Sequence, residues 1–197
     1  VILVAHILVS IVLVIVVLMQ RSEGGALGIG GGGGGAGHTN NVEDVGGGNG
    51  GGIILIEVGT LAGNEQSIAA NGGSALEVKG DGASGGGAGG SIVLIVENVS
   101  SAINLELKGG NGGIVNNNGS SDCMGPGGGG SGGRFLTNVD AGQGVNFDLV
   151  GGRLGLSTNS TDGNCQDVSN NAENGMEGVL EPISILLEST DMVSLPE

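Results

Sequence analysis

The sequence predicts a mainly β chain, with an N-terminal transmembrane helix followed by a glycine-rich parallel β-solenoid and a β-sandwich as the competing architecture. Three observations carry this expectation. Glycine clusters run straight into aliphatic stretches at residues 46–58 (GGGNGGGIILIEV), 85–97 (GGGAGGSIVLIVE) and 128–140 (GGGSGGRFLTNVD), with starts 39 and then 43 residues apart. A repeat of that length marks stacked units that bury a core only together. Gly supplies 47 of 197 residues while Trp and Tyr are absent, so the core must be thin and aliphatic rather than built on aromatic rings. Finally, residues 1–19 form an apolar run broken only by His6 and Ser10.

Residues 1–20 are the first element. A helix of this length spans about 28 Å, close to the hydrocarbon thickness of a bilayer, and no small-x-small cleavage site follows it. The segment therefore reads as a helix that inserts in a lipid bilayer, with His6 near one end as an interfacial imidazole rather than a proton relay. Residues 6–35, HILVSIVLVIVVLMQRSEGGALGIGGGGGG, resemble the first transmembrane helix and loop of the small G subunit of the bacterial Sec protein-export translocase. The residues that carry the likeness are His6, then Gln20, Arg21, Ser22, Glu23, Gly24 and Gly25 closing the helix, and the glycine run. The resemblance implies an accessory role in preprotein translocation, the Sec translocon as partner, and no cofactor. Family members continue into a second transmembrane helix. Here the next aliphatic stretches, 53–58 and 92–96, are too short to cross a bilayer.

Residues 21–45 read as a linker, without periodicity and with flexible composition. Neither GxxxxGK[ST] nor a strand–GxGxxG–helix context is present, so nucleotide binding is not expected.

Residues 46–160 read as the repeat domain, with units near 46–84, 85–127 and 128–160. Ile103, Leu105 and Leu107 alternate with polar residues, as do Val145, Phe147 and Leu149, and more briefly Leu76 and Val78. That is the period of a strand with one wet face. The stretches IILI and IVLI are continuously aliphatic, as in strands covered on both sides. Each unit is thus expected to hold a buried strand and a half-wet strand, with Asn-Gly and Gly-Gly endings such as 71–73 and 109–113 turning the chain at positive φ. Residues 85–138 also resemble the Gly-rich repeats of large secreted bacterial surface proteins, which implies a structural or adhesive role and names no ligand.

Residues 161–197 form an acidic C-terminal segment. The whole chain carries a formal charge of −15, and Arg21, Lys79, Lys108, Arg134 and Arg153 are scattered singly. Such a surface repels phosphate backbones, which excludes a nucleic-acid partner. Cys123 and Cys165 make neither a CxxC motif nor a zinc set. Both lie in polar loops, so a disulfide stapling the last repeat is expected. His6 and His38 are the only histidines, which leaves the repeats without an imidazole for a nucleophilic relay or a histidine metal site. Gly80-Asp81-Gly82 and Thr161-Asp162-Gly163-Asn164 resemble fragments of calcium loops without completing one, so ordinary Asp-Gly turns are expected and Ca2+ is the alternative. Asn98, Asn118 and Asn159 sit in N-x-S/T sequons.

The expected function is that of a non-enzymatic β-repeat protein of the bacterial cell envelope. It would be anchored in the membrane by residues 1–19, with the repeats outside the cytoplasm in a structural or adhesive role. The alternatives are an accessory subunit of the Sec translocase acting through residues 1–35, and a pilin-like subunit that meets like subunits in a filament.

Overall fold

A computed structural model describes residues 46–139 and 144–183. The expected membrane helix (1–20) and linker (21–45) lie outside the described residues, among which no helix is long and apolar enough to cross a membrane. Ten strands and one short 3-10 helix (Gly163–Cys165) follow in order: β1 (Ile53–Ala62), β2 (Ser67–Ala69), β3 (Val78–Lys79), β4 (Ser91–Ser101), β5 (Ile103–Glu106), β6 (Val115–Asn116), β7 (Arg134–Thr137), β8 (Val145–Asp148), β9 (Ser157–Thr158) and β10 (Val179–Pro182). They form three sheets, ordered β1-β4-β7-β10, β2-β5-β8 and β3-β6-β9. The chain visits the sheets in turn and returns to the first after each circuit.

Every strand pairing is parallel, so none of these pairs is the hairpin that the alternative sandwich was built on. Each unit contributes three strands rather than two. Val78–Lys79, whose alternation resembles that of Ile103–Leu107, belongs instead to the third sheet and pairs with Val115–Asn116. The true partner of Ile103–Glu106 in the first unit is Ser67–Ala69, which is too short to show a period. The ladder also continues past residue 160, because Val179–Pro182 from the acidic segment closes the first sheet against β7.

The aliphatic core lies between the first and second sheets. Ile92, Leu94 and Val96 point inward from β4, while Ile103 and Leu105 from β5, followed by Leu107, oppose them. Phe135 fills the next layer with its ring 4.7 Å from that of Phe147. The expectation of two-sided burial for IILI and IVLI is corrected here. Ile54 and Ile56 face the core, but Leu55 is 73% exposed and Ile53 50%, since β1 is the edge strand and nothing described covers its outer face.

The glycine clusters are not turns. Segments 46–52, 85–90, 128–133 and 175–178 stack as one layer, and 71–75, 108–113 and 150–155 as a second. Within the first layer Gly48 N–H donates to Gly85 O (2.9 Å) and Gly51 N–H to Ala88 O (2.8 Å). Gly86 N–H then donates to Gly128 O (2.9 Å) and Gly89 N–H to Ser131 O (2.8 Å). Between layers Gly87 donates to Gly73 O, Gly110 to Gly87 O, Gly130 to Gly110 O, Gly152 to Gly130 O and Gly175 to Gly152 O, all at 2.7–2.9 Å. Gly90 donates to Ala70 O (2.7 Å), so as the donor advances three residues the acceptor retreats three, and the layers run antiparallel. Donors recurring every third residue are the mark of a polyproline II-type helix, which has no internal bonds and needs partners outside itself. The layers touch backbone to backbone: a Cβ on Gly72 would lie 2.0 Å from Gly87 O, and one on Gly109 1.9 Å from Gly130 O.

The turns lie elsewhere. Among the described residues the glycines at positive φ are Gly80, Gly119 and Gly144, accompanied by Asn64, Glu65, Asn118, Asn159, Asp167, Asn170 and Asn171. No residue of 71–73 or 109–113 is among them, because those glycines are committed to the packed layers.

Candidate functional site

The circuits present two contrasting outer faces. On the first sheet, in-register neighbours Leu55, Val93, Leu136 and Glu181 form a row across four strands. Its outer edge is apolar at Leu55 and ends in an ion pair between Arg134 and Glu181. Side chains of this row alternate with the inward ones because successive residues of a strand face opposite sides.

The second and third sheets carry polar ladders. Asn146 Nδ2 donates to Asn104 Oδ1 at 3.0 Å, and Asn104 Nδ2 to Glu65 O at 3.0 Å. Asn159 Nδ2 donates to Asn116 Oδ1 at 2.9 Å, and Asn116 Nδ2 to Glu77 Oε1 at 3.0 Å. Beside them Lys108 Nζ lies 3.1 Å from Glu106 and 3.0 Å from Asp148. The bond from Lys108 holds the Glu106 carboxyl below the usual carboxylate range, with a further contribution from Asn71. Bonds to Asp148 and then Glu106 raise the Lys108 ammonium. Inside the third sheet Asn117, 1% exposed, donates to Ser157 Oγ (2.8 Å) and Thr158 O (2.9 Å). Its Oδ1 accepts from Met124 N–H at 3.3 Å. This buried bridge was not foreseen, since a lone Asn in NNNG reads as a turn.

The expected disulfide is present. Cys123 and Cys165 are bonded with Cα atoms 5.2 Å apart, tying the loop after β6 to the 3-10 turn one circuit later. The two calcium-like fragments spend their carboxylates locally. Asp162 Oδ1 caps the 3-10 turn by accepting from Asn164 N–H at 2.9 Å, and Asp81 Oδ1 accepts from Gly82 N–H at 2.7 Å. Among the described residues no three His, Cys, Asp or Glu side chains gather as a metal would require. The sequon residues Asn98, Asn118 and Asn159 are all exposed. The motif residues Gln20, Arg21, Ser22, Glu23, Gly24 and Gly25, and both histidines, lie outside the described residues.

An open groove of about 580 Å3 runs between Pro126, Ser131, Asn170, Glu173 and Met176. Backbone forms much of its wall, and it has one carboxylate with no imidazole, amine or thiol. The described surface presents an apolar row on the first sheet and amide and charge ladders on the second and third.

Neither the curated proteins nor the solved structures include a match to this chain. At the level of families, residues 1–44 match the model described as the preprotein translocase SecG subunit, and the likeness stops where the packed glycine layers begin.

Proposed function

We propose that this protein is a non-enzymatic, membrane-associated accessory to the Sec preprotein translocase, acting through its SecG-like N-terminal segment. The observation that carries this reading is the family match over residues 1–44. It comprises an apolar run long enough for a bilayer, followed by the Gln20–Gly25 motif. The β region is a parallel β-solenoid that serves as a rigid acidic extension, its three sheets stacked circuit on circuit. Co-purification tests the reading. The full chain and a version lacking residues 46–197 should both retain the Sec channel in detergent, whereas replacing residues 20–25 should release it. A full chain that never retains the channel sinks the proposal.

A second reading, a cell-envelope structural or adhesive protein, is favoured by one observation: the disulfide between Cys123 and Cys165. Such bonds persist in oxidising compartments, which supports a position of the repeats outside the cytoplasm. Labelling of the repeats on intact cells by a membrane-impermeant reagent supports this second reading. Labelling only after lysis removes it.

A further inference from the structure

The disulfide joins two sulfurs of unequal access. Cys123 is exposed, between exposed Asp122 and half-buried Met124, in the loop that follows β6. Cys165 is 4% exposed and sits in the 3-10 turn that Asp162 caps. Thiol–disulfide exchange depends on which sulfur an attacking thiolate can reach, and here that sulfur belongs to Cys123.

Apart from the S–S bond, the chain around Cys123 is lightly held. Its flanks are fixed at ordinary distances: Ser120 O accepts from Thr161 N–H at 2.9 Å, and Gly125 O from Ala83 N–H at 3.0 Å. Between them the contacts lengthen. Ser160 Oγ donates to Asp122 O at 3.2 Å, Met124 N–H to Asn117 Oδ1 at 3.3 Å, and Asn170 Nδ2 to Cys123 O at 3.4 Å. All three exceed the usual range for their donors, so the covalent bond is the strongest tie on residues 122–124. The bond from Asn170 leads further. Asn170 opens the left-handed pair Asn170–Asn171 (φ 42° and 66°), and with Pro126 it walls the open groove. The disulfide loop and the groove therefore share a wall.

Charge narrows the choice of attacking thiol. Segments 117–126 and 159–171 carry Asp122, Asp162 and Asp167 and no basic residue. On a chain of charge −15, that surface repels an anionic small thiol such as glutathione. A protein dithiol brings a contact surface of its own, whose charges can complement these carboxylates.

We propose that Cys123 Sγ is the exchange site for a CxxC-type protein dithiol, and that exchange there frees the Cys123 loop and the groove wall at Asn170. In the reducing direction the partner thiolate attacks Cys123 Sγ and the S–S bond breaks. Its electron pair leaves on Cys165 Sγ, which is then protonated. The partner's second thiol, as thiolate, attacks its own neighbour's sulfur in the mixed disulfide and releases Cys123, which is protonated in turn. The partner ends as a disulfide, and the electrons and protons it lost are those that Cys123 and Cys165 gained. Oxidation runs through the same mixed disulfide in reverse. This inference stands whichever way residues 1–44 act.

Trapping on the full chain in detergent tests it. A thioredoxin-type probe with its resolving cysteine changed to serine stops at the mixed disulfide, and peptide mass spectrometry locates the adduct. Adduct at Cys123 is expected. Adduct at Cys165, or none while the same probe attacks a control disulfide protein, overturns the proposal. The intact dithiol probe should reduce the bond at least about ten-fold faster than glutathione at equal thiolate concentration. Equal rates assign the site to small thiols and overturn the protein partner. On reduction, the NMR amide signals of residues 122–124 and 170–172 should shift while those of Leu105 and Phe135 stay in place. Cys123→Ser with Cys165→Ser should show the shifted set without any reductant. Signals at 170–172 that do not move, or loss of the Leu105 and Phe135 signals as well, overturn the local release.

Discussion

The Gly130 amide donates to the Gly110 carbonyl at 2.8 Å across two layers with no side chain between them. A methyl group added to Gly130 would lie 2.0 Å from the carbonyl oxygen of Gly87, and a backbone atom cannot rotate away as a side chain does. Gly130→Ala is therefore expected to cost more than about 3 kcal/mol, the upper range for overpacking a close-packed interior. Ser131→Ala, one residue on at an exposed position, should change stability by less than about 0.5 kcal/mol. Urea unfolding of the two variants checks the contrast, and equal effects would contradict the packed layers.

Phe135 is fully buried, and with Phe147 it supplies the aromatic volume of the core. Phe135→Ala should lose about 3–5 kcal/mol, since few neighbours can collapse into the space it leaves. Thermal unfolding at fixed pH measures it.

Asn117 bridges Ser157 Oγ and Thr158 O inside the third sheet. Asn117→Ala should cost about 1–3 kcal/mol, because Ser157, also fully buried, loses its partner. Adding Ser157→Ala to that variant should cost less than the single changes summed, since the orphaned hydroxyl is gone. A double-mutant cycle that comes out additive would show the pair uncoupled.

The bond between Cys123 and Cys165 closes a separation of 42 residues. In the chain-entropy treatment its removal by Cys123→Ser with Cys165→Ser should lower stability by about 4 kcal/mol. Denaturant midpoints with and without reductant provide the measurement. The wild type should fall to the level of the variant when reduced, and the variant should not respond.

Lys108, Glu106 and Asp148 give a modest pH signature. Glu106 is held below its ordinary range, so its contribution is present above about pH 4.3 and is lost as pH falls through its lowered value. Lys108 is raised, so its contribution is complete below about pH 10.4 and disappears as pH climbs through the raised value. Lys108→Met should therefore be less stable than wild type between those limits and indistinguishable at both extremes. Lys108 is 41% exposed, so the gap should stay under about 1 kcal/mol and shrink with salt.

Much of the β architecture was legible in the residues. The spacing of the glycine-to-aliphatic clusters gave the circuits, and the alternation at Ile103–Leu107 and Val145–Leu149 gave inward faces that the core confirms. Hydrophobic period reports which side of a strand leaves water, and that is a local property. The third sheet escaped notice because its strands are two residues long and its last inward position is Ser157, a polar residue bridged by Asn117. The glycine layers escaped for another reason. Residues without side chains carry no amphipathic signal, so turn chemistry was the default reading. A signal was nevertheless written in triplets: Asn71-Gly-Gly-Ser74, Lys108-Gly-Gly-Asn111-Gly-Gly-Ile114 and Ser131-Gly-Gly-Arg134. Side chains at every third position, always outward, are what a packed three-residue helix allows.

By itself, then, the sequence determined that short strands would recur, that the core would be aliphatic, and that residues 1–35 resemble a translocase segment, while parallel pairing over a hairpin sandwich was left to the structure. These follow from periodicity, composition and motif, all local along the chain. Only the tertiary structure decided that Gly87 and Gly130 bond across layers instead of turning, that Ser67–Ala69 rather than Val78–Lys79 pairs with β5, and that Leu55 faces outward. Backbone amides and carbonyls are alike at every residue except proline, so which of them meet is fixed by the stacking of distant circuits and not by any single stretch of chain.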